Sequence, residues 1–98
     1  MDIIKNTNGS SLALSLVGRL DTTTAPQLEA ELNASLGGVT DLVLDFAKLD
    51  YISSAGLRVL LAAQKRMNKQ GEMVIRNTND DIKEVFEITG FCDILTLE

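Results

Sequence analysis

The feature that most restricts the fold is a switch of hydrophobic period across one short stretch. Asp41–Leu42–Val43–Leu44–Asp45–Phe46 alternates polar and apolar residues, the period of a half-buried strand. Beyond Tyr51–Ile52–Ser53–Ser54–Ala55–Gly56, the apolar residues Leu57, Leu60, Leu61 and Met67 recur at helical spacing. A strand therefore leads through a serine-bearing loop into a helix. Either Ser53 or Ser54 suits the N-cap, where a hydroxyl accepts from unpaired first-turn amides. Ala55 and Gly56 leave those amides uncrowded. A serine at such a helix start is also a place where an added phosphate is stabilised by amides and dipole. Ser54 is accordingly the candidate for a phosphorylatable switch, with Ser53 as a competing acceptor.

The rest of the chain supplies partners for this unit. Asp2 to Asn6 reads as a strand, and Asn8-Gly9 as a hairpin turn with positive φ at both positions. The return strand, Leu12 to Val17, places Leu12, Leu14 and Leu16 on one face. Thr22–Thr23–Thr24 leads into a helix, with Thr24 and Gln27 spaced as a capping box and Pro26 tolerated in the first turn. Leu28, Leu32 and Leu36 form its buried stripe, and Gly37-Gly38 ends it. The helix after the serines should reach about Gln70 and stop at Gly71. Met73 to Arg76 is the next strand. Asn79 or Asp80 caps a short helix carrying Ile82, Val85 and Phe86, Gly90 ends it, and Ile94 to Leu97 is a candidate edge strand.

This order predicts an α/β fold: a small mixed sheet of four to five strands, one antiparallel hairpin strand beside parallel strands joined by right-handed crossovers. Strands buried on both faces are continuously apolar, whereas these alternate. Helices are thus expected mainly on one face, with Leu14, Leu16, Leu44 and Ile75 facing Leu28, Leu32, Leu57, Leu60, Leu61 and Phe86. The 98 residues suffice for one domain, residues 1–98, and one core.

Composition removes several functions. Histidine is absent, so no histidine base, Ser-His-Asp triad or histidine metal site exists. The single Cys92 has no intramolecular disulfide partner, and its simplest role is a small buried hydrophobe. Ser54 lacks the glycine two residues earlier that a hydrolase elbow needs, and no Gly-x₄-Gly-Lys-Ser/Thr phosphate loop is present. The expectation is a protein that is no enzyme and uses no cofactor or metal. With a net charge of −5 and scattered basic residues, neither nucleic acid nor an anionic membrane is an expected partner. No signal-peptide or membrane-spanning pattern is visible, so cytoplasmic location and no direct membrane insertion are expected.

Parallel strands gather their C-terminal ends at one edge, where open α/β sheets place function. Asp21, Asp45, Ser53 and Ser54 are expected there. Each also has a purely structural reading: Asp21 closing a turn, Asp45 bonding loop amides, Ser54 capping a helix. Arg19 and Arg58 read equally well as solvated surface charges. Local chemistry leaves the choice open.

Three motifs add a resemblance that spans the chain. Gly18–Arg19–Leu20–Asp21, Leu42 to Phe46 and Ile52–Ser53–Ser54–Ala55–Gly56–Leu57 together resemble STAS domains of the bacterial anti-sigma-factor antagonist type. In that family Ser54 falls on the serine phosphorylated by the partner kinase, Gly56 on the loop glycine, and Asp21 on the acidic residue near that loop. The resemblance implies partner switching in transcription regulation. The unphosphorylated form binds an anti-sigma factor that is also a serine kinase, freeing a sigma factor, and a metal-dependent serine phosphatase resets the phosphoprotein. The implied partner-binding loop comprises Asp21, Ser53, Ser54, Ala55, Gly56 and Arg58. Two residues depart from the pattern: Ser53 replaces a common Asp, and Arg19 stands where an acidic residue is common. The alternative is a constitutive structural STAS subunit of a lipid-transport or stress-sensing complex.

Overall fold

The computed structural model describes residues 1–98. In chain order, β1 spans Asp2–Asn8, β2 Ser11–Leu20, α1 Ala25–Ser35, β3 Asp41–Ile52, α2 Ser54–Met67, β4 Glu72–Arg76 and α3 Asp80–Thr89. A single turn of 3₁₀ helix, Phe91–Asp93, follows. The four strands lie in the order β1-β2-β3-β4, with β1 antiparallel to β2 and the other two pairings parallel.

Register lines up the apolar positions across the sheet. Leu12 pairs with Leu42 and Leu14 with Leu44, and these in turn pair with Met73 and Ile75. All six are buried, whereas Ala13, Ser15, Val43 and Val74 on the other face are only half-buried. The helices contribute Leu28, Leu32, Leu57, Leu60, Ile82 and Phe86 to one cluster of 24 buried hydrophobic residues that includes these strand positions. Crossovers of one hand that step the same way across a sheet put their helices on the same side. The one-sided arrangement read from the alternation is thus the arrangement found. Within α2, Leu60 is fully buried and Leu57 nearly so, but Leu61 is only half-buried; Val59, Ala63 and Gln64 fill the inner face instead.

The largest departure from expectation is the length of β3. It does not stop at Phe46 but runs on to Ile52. Two irregularities hide the continuation. Between the pairs Ser15–Asp45 and Val17–Lys48, β3 advances one residue more than β2, and it does so again between Gly18–Leu49 and Arg19–Tyr51. Each extra residue is a bulge that shifts the side-chain phase. The buried positions therefore run Leu42, Leu44, Phe46, then Leu49, then Ile52. A period of two becomes a spacing of three, which no longer resembles a strand. Asp45 accepts a hydrogen bond from the Ala47 amide at 2.9 Å at the first bulge.

Other local expectations also shift. The hairpin turns at Gly9-Ser10, because Asn8 still pairs with Ser11; Gly9 takes a φ of 61°, and Asn8 is not in the left-handed region. The Thr24 capping box does not form: Thr24 makes no cap bond, and Gln27 reaches the Met1 carbonyl at 2.9 Å instead. Gly71 follows the α2 terminus at close quarters with the Thr40 carbonyl, so it is needed for space rather than for a left-handed turn. Ile94 to Leu97 forms a single bridge, Leu97 to Ile75, and no strand. Cys92 is exposed, outside the core. Asn79 caps α3 by accepting from Ile82 N at 2.8 Å, and Gly90 ends it at a φ of 78°.

Candidate functional site

The extension of β3 decides where the serines stand. Leu20 and Ile52 are register partners at the C-terminal ends of β2 and β3. The Ser53 amide donates to the Leu20 carbonyl at 2.9 Å, so the chains leaving the two strands are tied together. One residue, Ser53, separates β3 from α2. Its extended backbone marks it as the N-cap, and its Oγ accepts from the Gly56 amide at 3.4 Å. Leu57 then donates to the Ser53 carbonyl at 3.0 Å, closing the first turn.

Ser54 is consequently the first residue of the helix and not its cap. Its side chain is exposed, and its hydroxyl has no hydrogen-bond partner within the protein. The two serines divide the work that sequence alone left shared between them. Ser53 is half-buried and spends its hydroxyl on the helix; Ser54 presents its hydroxyl outward.

Gly56 is buried beneath this turn. A Cβ there would come within 2.7 Å of Leu20 Cγ and 2.9 Å of Ile52 Cγ1. Its contribution to the loop is to let α2 start against the ends of β2 and β3, so it offers little surface to a partner. Ala55 is half-buried and Arg58 exposed. Arg58 makes neither a salt bridge nor a side-chain hydrogen bond, since the ion pairs are Lys5–Glu31, Arg19–Asp21 and Arg76–Glu98.

Asp21 lies directly after Leu20 and organises the entry to α1. Its Oδ1 accepts from Thr23 N at 3.0 Å, Thr23 Oγ1 at 2.8 Å and Thr24 N at 3.1 Å. Thr24 Oγ1 accepts from the Asp21 amide and donates to the Arg19 carbonyl, both at 2.8 Å. The Thr23 hydroxyl, assisted by the Thr24 and Thr23 amides, holds the Asp21 carboxyl below its ordinary range, against an opposing desolvation effect. Arg19 Nε sits 3.7 Å from Asp21 Oδ2, and its guanidinium lies 4.4 Å from the centre of the Tyr51 ring. That cation–π contact joins the ends of β2 and β3 on the outside. Sequence reasoning did not find it; the bulge that pairs Arg19 with Tyr51 is its cause.

Asp45 is not part of this edge. It pairs with Ser15 in the body of the sheet, on the order of 20 Å from Ile52 at the rise of a strand. Its Oδ1 receives the Ala47 amide and, at 3.1 Å, Asn77 Nδ2. No group of three or more His, Cys, Asp and Glu side chains is placed to hold a metal ion. No helix is long and apolar enough to cross a membrane.

Between the starts of α1 and α2 lies an open cleft of about 300 Å³. Thr22, Pro26 and Glu29 line one side, Ala55, Arg58 and Val59 the other. The edge thus joins a free hydroxyl, a free guanidinium and a shallow recess, on a rigid frame of two strand ends and two helix starts. Such a site has the means to dock a protein surface and to be modified.

This architecture defines a small α/β domain with helices packed on one face of a four-stranded sheet and the other face left open. The chain belongs to the STAS domain family, whose sequence model matches residues 2–98. It is 48% identical over 81 residues to BtrV of Bordetella bronchiseptica, spanning 81% of this chain and 70% of that protein. Against the anti-sigma-B factor antagonist of Listeria monocytogenes it is 30% identical over 98 residues, or 97% of this chain and 85% of the relative. Among solved structures, the anti-sigma factor antagonist SpoIIAA in its unphosphorylated form superposes with a TM-score of 0.78 at 18% identity, covering 99% of this chain and 87% of that one. The phosphorylated form of SpoIIAA from Bacillus gives 0.77 at 19% identity, covering 99% and 91%. At these identities the two structures speak for the fold.

Proposed function

We propose that this chain is an anti-sigma factor antagonist, acting as a single STAS domain, that works by partner switching, with Ser54 as the phosphoacceptor. The observation that carries the reading is the division between the two serines: Ser53 caps α2, and Ser54 holds an exposed, unpartnered hydroxyl at its first turn. Relatives named for anti-sigma factor antagonism support the regulatory half of the reading. In the unphosphorylated state the edge formed by Asp21, Ser53, Ser54, Ala55 and Arg58 docks onto an anti-sigma factor, releasing a sigma factor. Gly56 serves this edge from beneath.

The anti-sigma factor is itself the serine kinase. It transfers the γ-phosphoryl group of ATP to Ser54 Oγ; the bond to the β–γ bridging oxygen breaks, ADP leaves, and the hydroxyl proton passes to the kinase's base. A metal-dependent serine phosphatase hydrolyses the ester and restores the hydroxyl. The chain itself catalyses neither step, in keeping with its lack of histidine. Its place of action is the cytoplasm, where sigma factors meet RNA polymerase.

Phosphate brings about −1.5 to −2 charges to a surface that has been fitted to a neutral hydroxyl. A loss of roughly 3 kcal/mol at the centre of such an interface weakens binding by about a hundredfold. The test is incubation with ATP and host-cell extract, followed by intact-mass measurement, phosphopeptide mapping and capture of the bound partner. A single phosphate on Ser54, no labelling of Ser54→Ala, and partner capture by Ser54→Ala but not by Ser54→Asp are expected. Phosphate on Ser53, or equal capture by all variants, overturns the assignment; the latter fits a constitutive structural subunit.

A further inference from the structure

Arg58 is four residues beyond Ser54 on α2, and both side chains are exposed. Residues spaced i and i+4 on a helix lie on the same face, with Cβ atoms about 6 Å apart, and an acidic group N-terminal to a basic one is the favoured orientation. The charged residues at the ends of the elements meeting at this edge are Arg19 at the end of β2 and Asp21 just after it, Glu29 early in α1, Asp50 near the end of β3, and Arg58 early in α2; Glu31, Asp41, Asp45, Lys48, Lys65 and Arg66 lie further along the same elements. Arg19 is occupied by Asp21 and the Tyr51 ring. Arg58 is the one cation there without a carboxylate partner, although Glu29 lines the same cleft. The helix amides offer less than a bare helix start would, because the Gly56 N–H is already given to Ser53 Oγ.

We propose that Arg58 receives the Ser54 phosphate within the same chain, an inference that rests on Ser54 being the acceptor. Modification then acts twice on the docking edge. It adds negative charge at the first turn of α2, and it turns the only cation lining the cleft between the starts of α1 and α2 away from a partner and onto the phosphate. A guanidinium suits this role because its planar donors can bind two phosphate oxygens at once. The switch is thus an exchange of Arg58 between an intermolecular and an intramolecular anion.

Phosphoserine placed at position 54 by genetic encoding makes the test independent of any kinase. The reporter is the ³¹P NMR titration of that phosphate in the native sequence and in Arg58→Gln, a change to another good helix former at an exposed position. The guanidinium favours the dianion, so the second ionisation in the native sequence is expected at lower pH, with about a two- to threefold lower proton affinity than in Arg58→Gln. The difference should shrink on raising salt from about 0.1 M to about 1 M. Identical titrations of the two proteins overturn the proposal. Mapping of the kinase's phosphate to Ser53 would instead sink the functional assignment while leaving the Arg58 titration as measured.

Discussion

Ser53 and Ser54 are adjacent and chemically identical, yet the backbone assigns them different work. At Ser53 the chain is still extended, with a φ of −101° and a ψ of 174°, so its hydroxyl points back over the first turn of α2. At Ser54 the backbone is already helical, and its hydroxyl points to solvent. The consequence is a separation of stability from modification. Ser53→Ala removes the cap and should cost about 0.5–1 kcal/mol, the lower part of the range for caps because the bond is 3.4 Å long. Ser54→Ala removes no contact and should change stability by less than about 0.5 kcal/mol. Urea unfolding monitored by circular dichroism checks both; a larger loss for Ser54→Ala than for Ser53→Ala would reverse the assignment of the cap. Sequence alone could not choose between the residues, since both precede the helical pattern. The choice is made by where β3 ends, and that is the point the sequence conceals.

At the scale of elements, the helices were legible and the long strand was not. Leu28, Leu32, Leu57, Leu60, Ile82 and Phe86 keep the helical period and are all buried. In β3 the alternation survives only to Phe46; the bulges then move the inward positions to Leu49 and Ile52, spaced as if in a loop. For the same reason Asp45 was expected at the functional edge, when it belongs to the middle of the sheet. Asp21 lies at that edge as expected because it directly follows the apolar run of β2, and the serines because they directly precede the helical period of α2. The glycines carry a further lesson in element packing. Gly56 has ordinary helical backbone, but a methyl there would press on the buried side chains of Leu20, at Cγ, and Ile52, at Cγ1. Gly56→Ala should destabilise by about 1–3 kcal/mol from overpacking, less the roughly 1 kcal/mol by which alanine favours a helix. Gly71→Ala should cost more, because the added methyl meets the Thr40 backbone, which cannot rotate away. Thermal unfolding of the two variants should give the order native, Gly56→Ala, Gly71→Ala from most to least stable. The reverse order for the glycine variants would show that the α2 start is the more rigid contact.

For the molecule as a whole, the question is whether the proposed phosphorylation of Ser54 changes its shape or only its surface. The 24-residue core lies between the sheet and the helices, and Ser54 contributes nothing to it. Its hydroxyl makes no internal hydrogen bond whose loss could be transmitted inward. The edge beneath is fixed by the Ser53–Leu20 hydrogen bond, the Asp21 turn and the packing of Gly56, none of which includes Ser54 Oγ. Tightly packed interiors respond to a switch only when some element has two arrangements, and Ser54 Oγ holds none of the contacts that fix this edge. The expected outcome is a surface switch. In the amide NMR spectrum of the phosphorylated protein, shifts should change in the Leu20–Pro26 turn and the first turns of α2, through Val59. Those of β1, β4 and α3 should stay within the effect of a remote charge. Thermal stability should be equal to or slightly above that of the unmodified chain, since an anion at a helix start contributes about 0.3–1 kcal/mol. Shift changes spreading through β4 and α3, or a clear loss of stability, would mean that the phosphate acts by rearranging the fold.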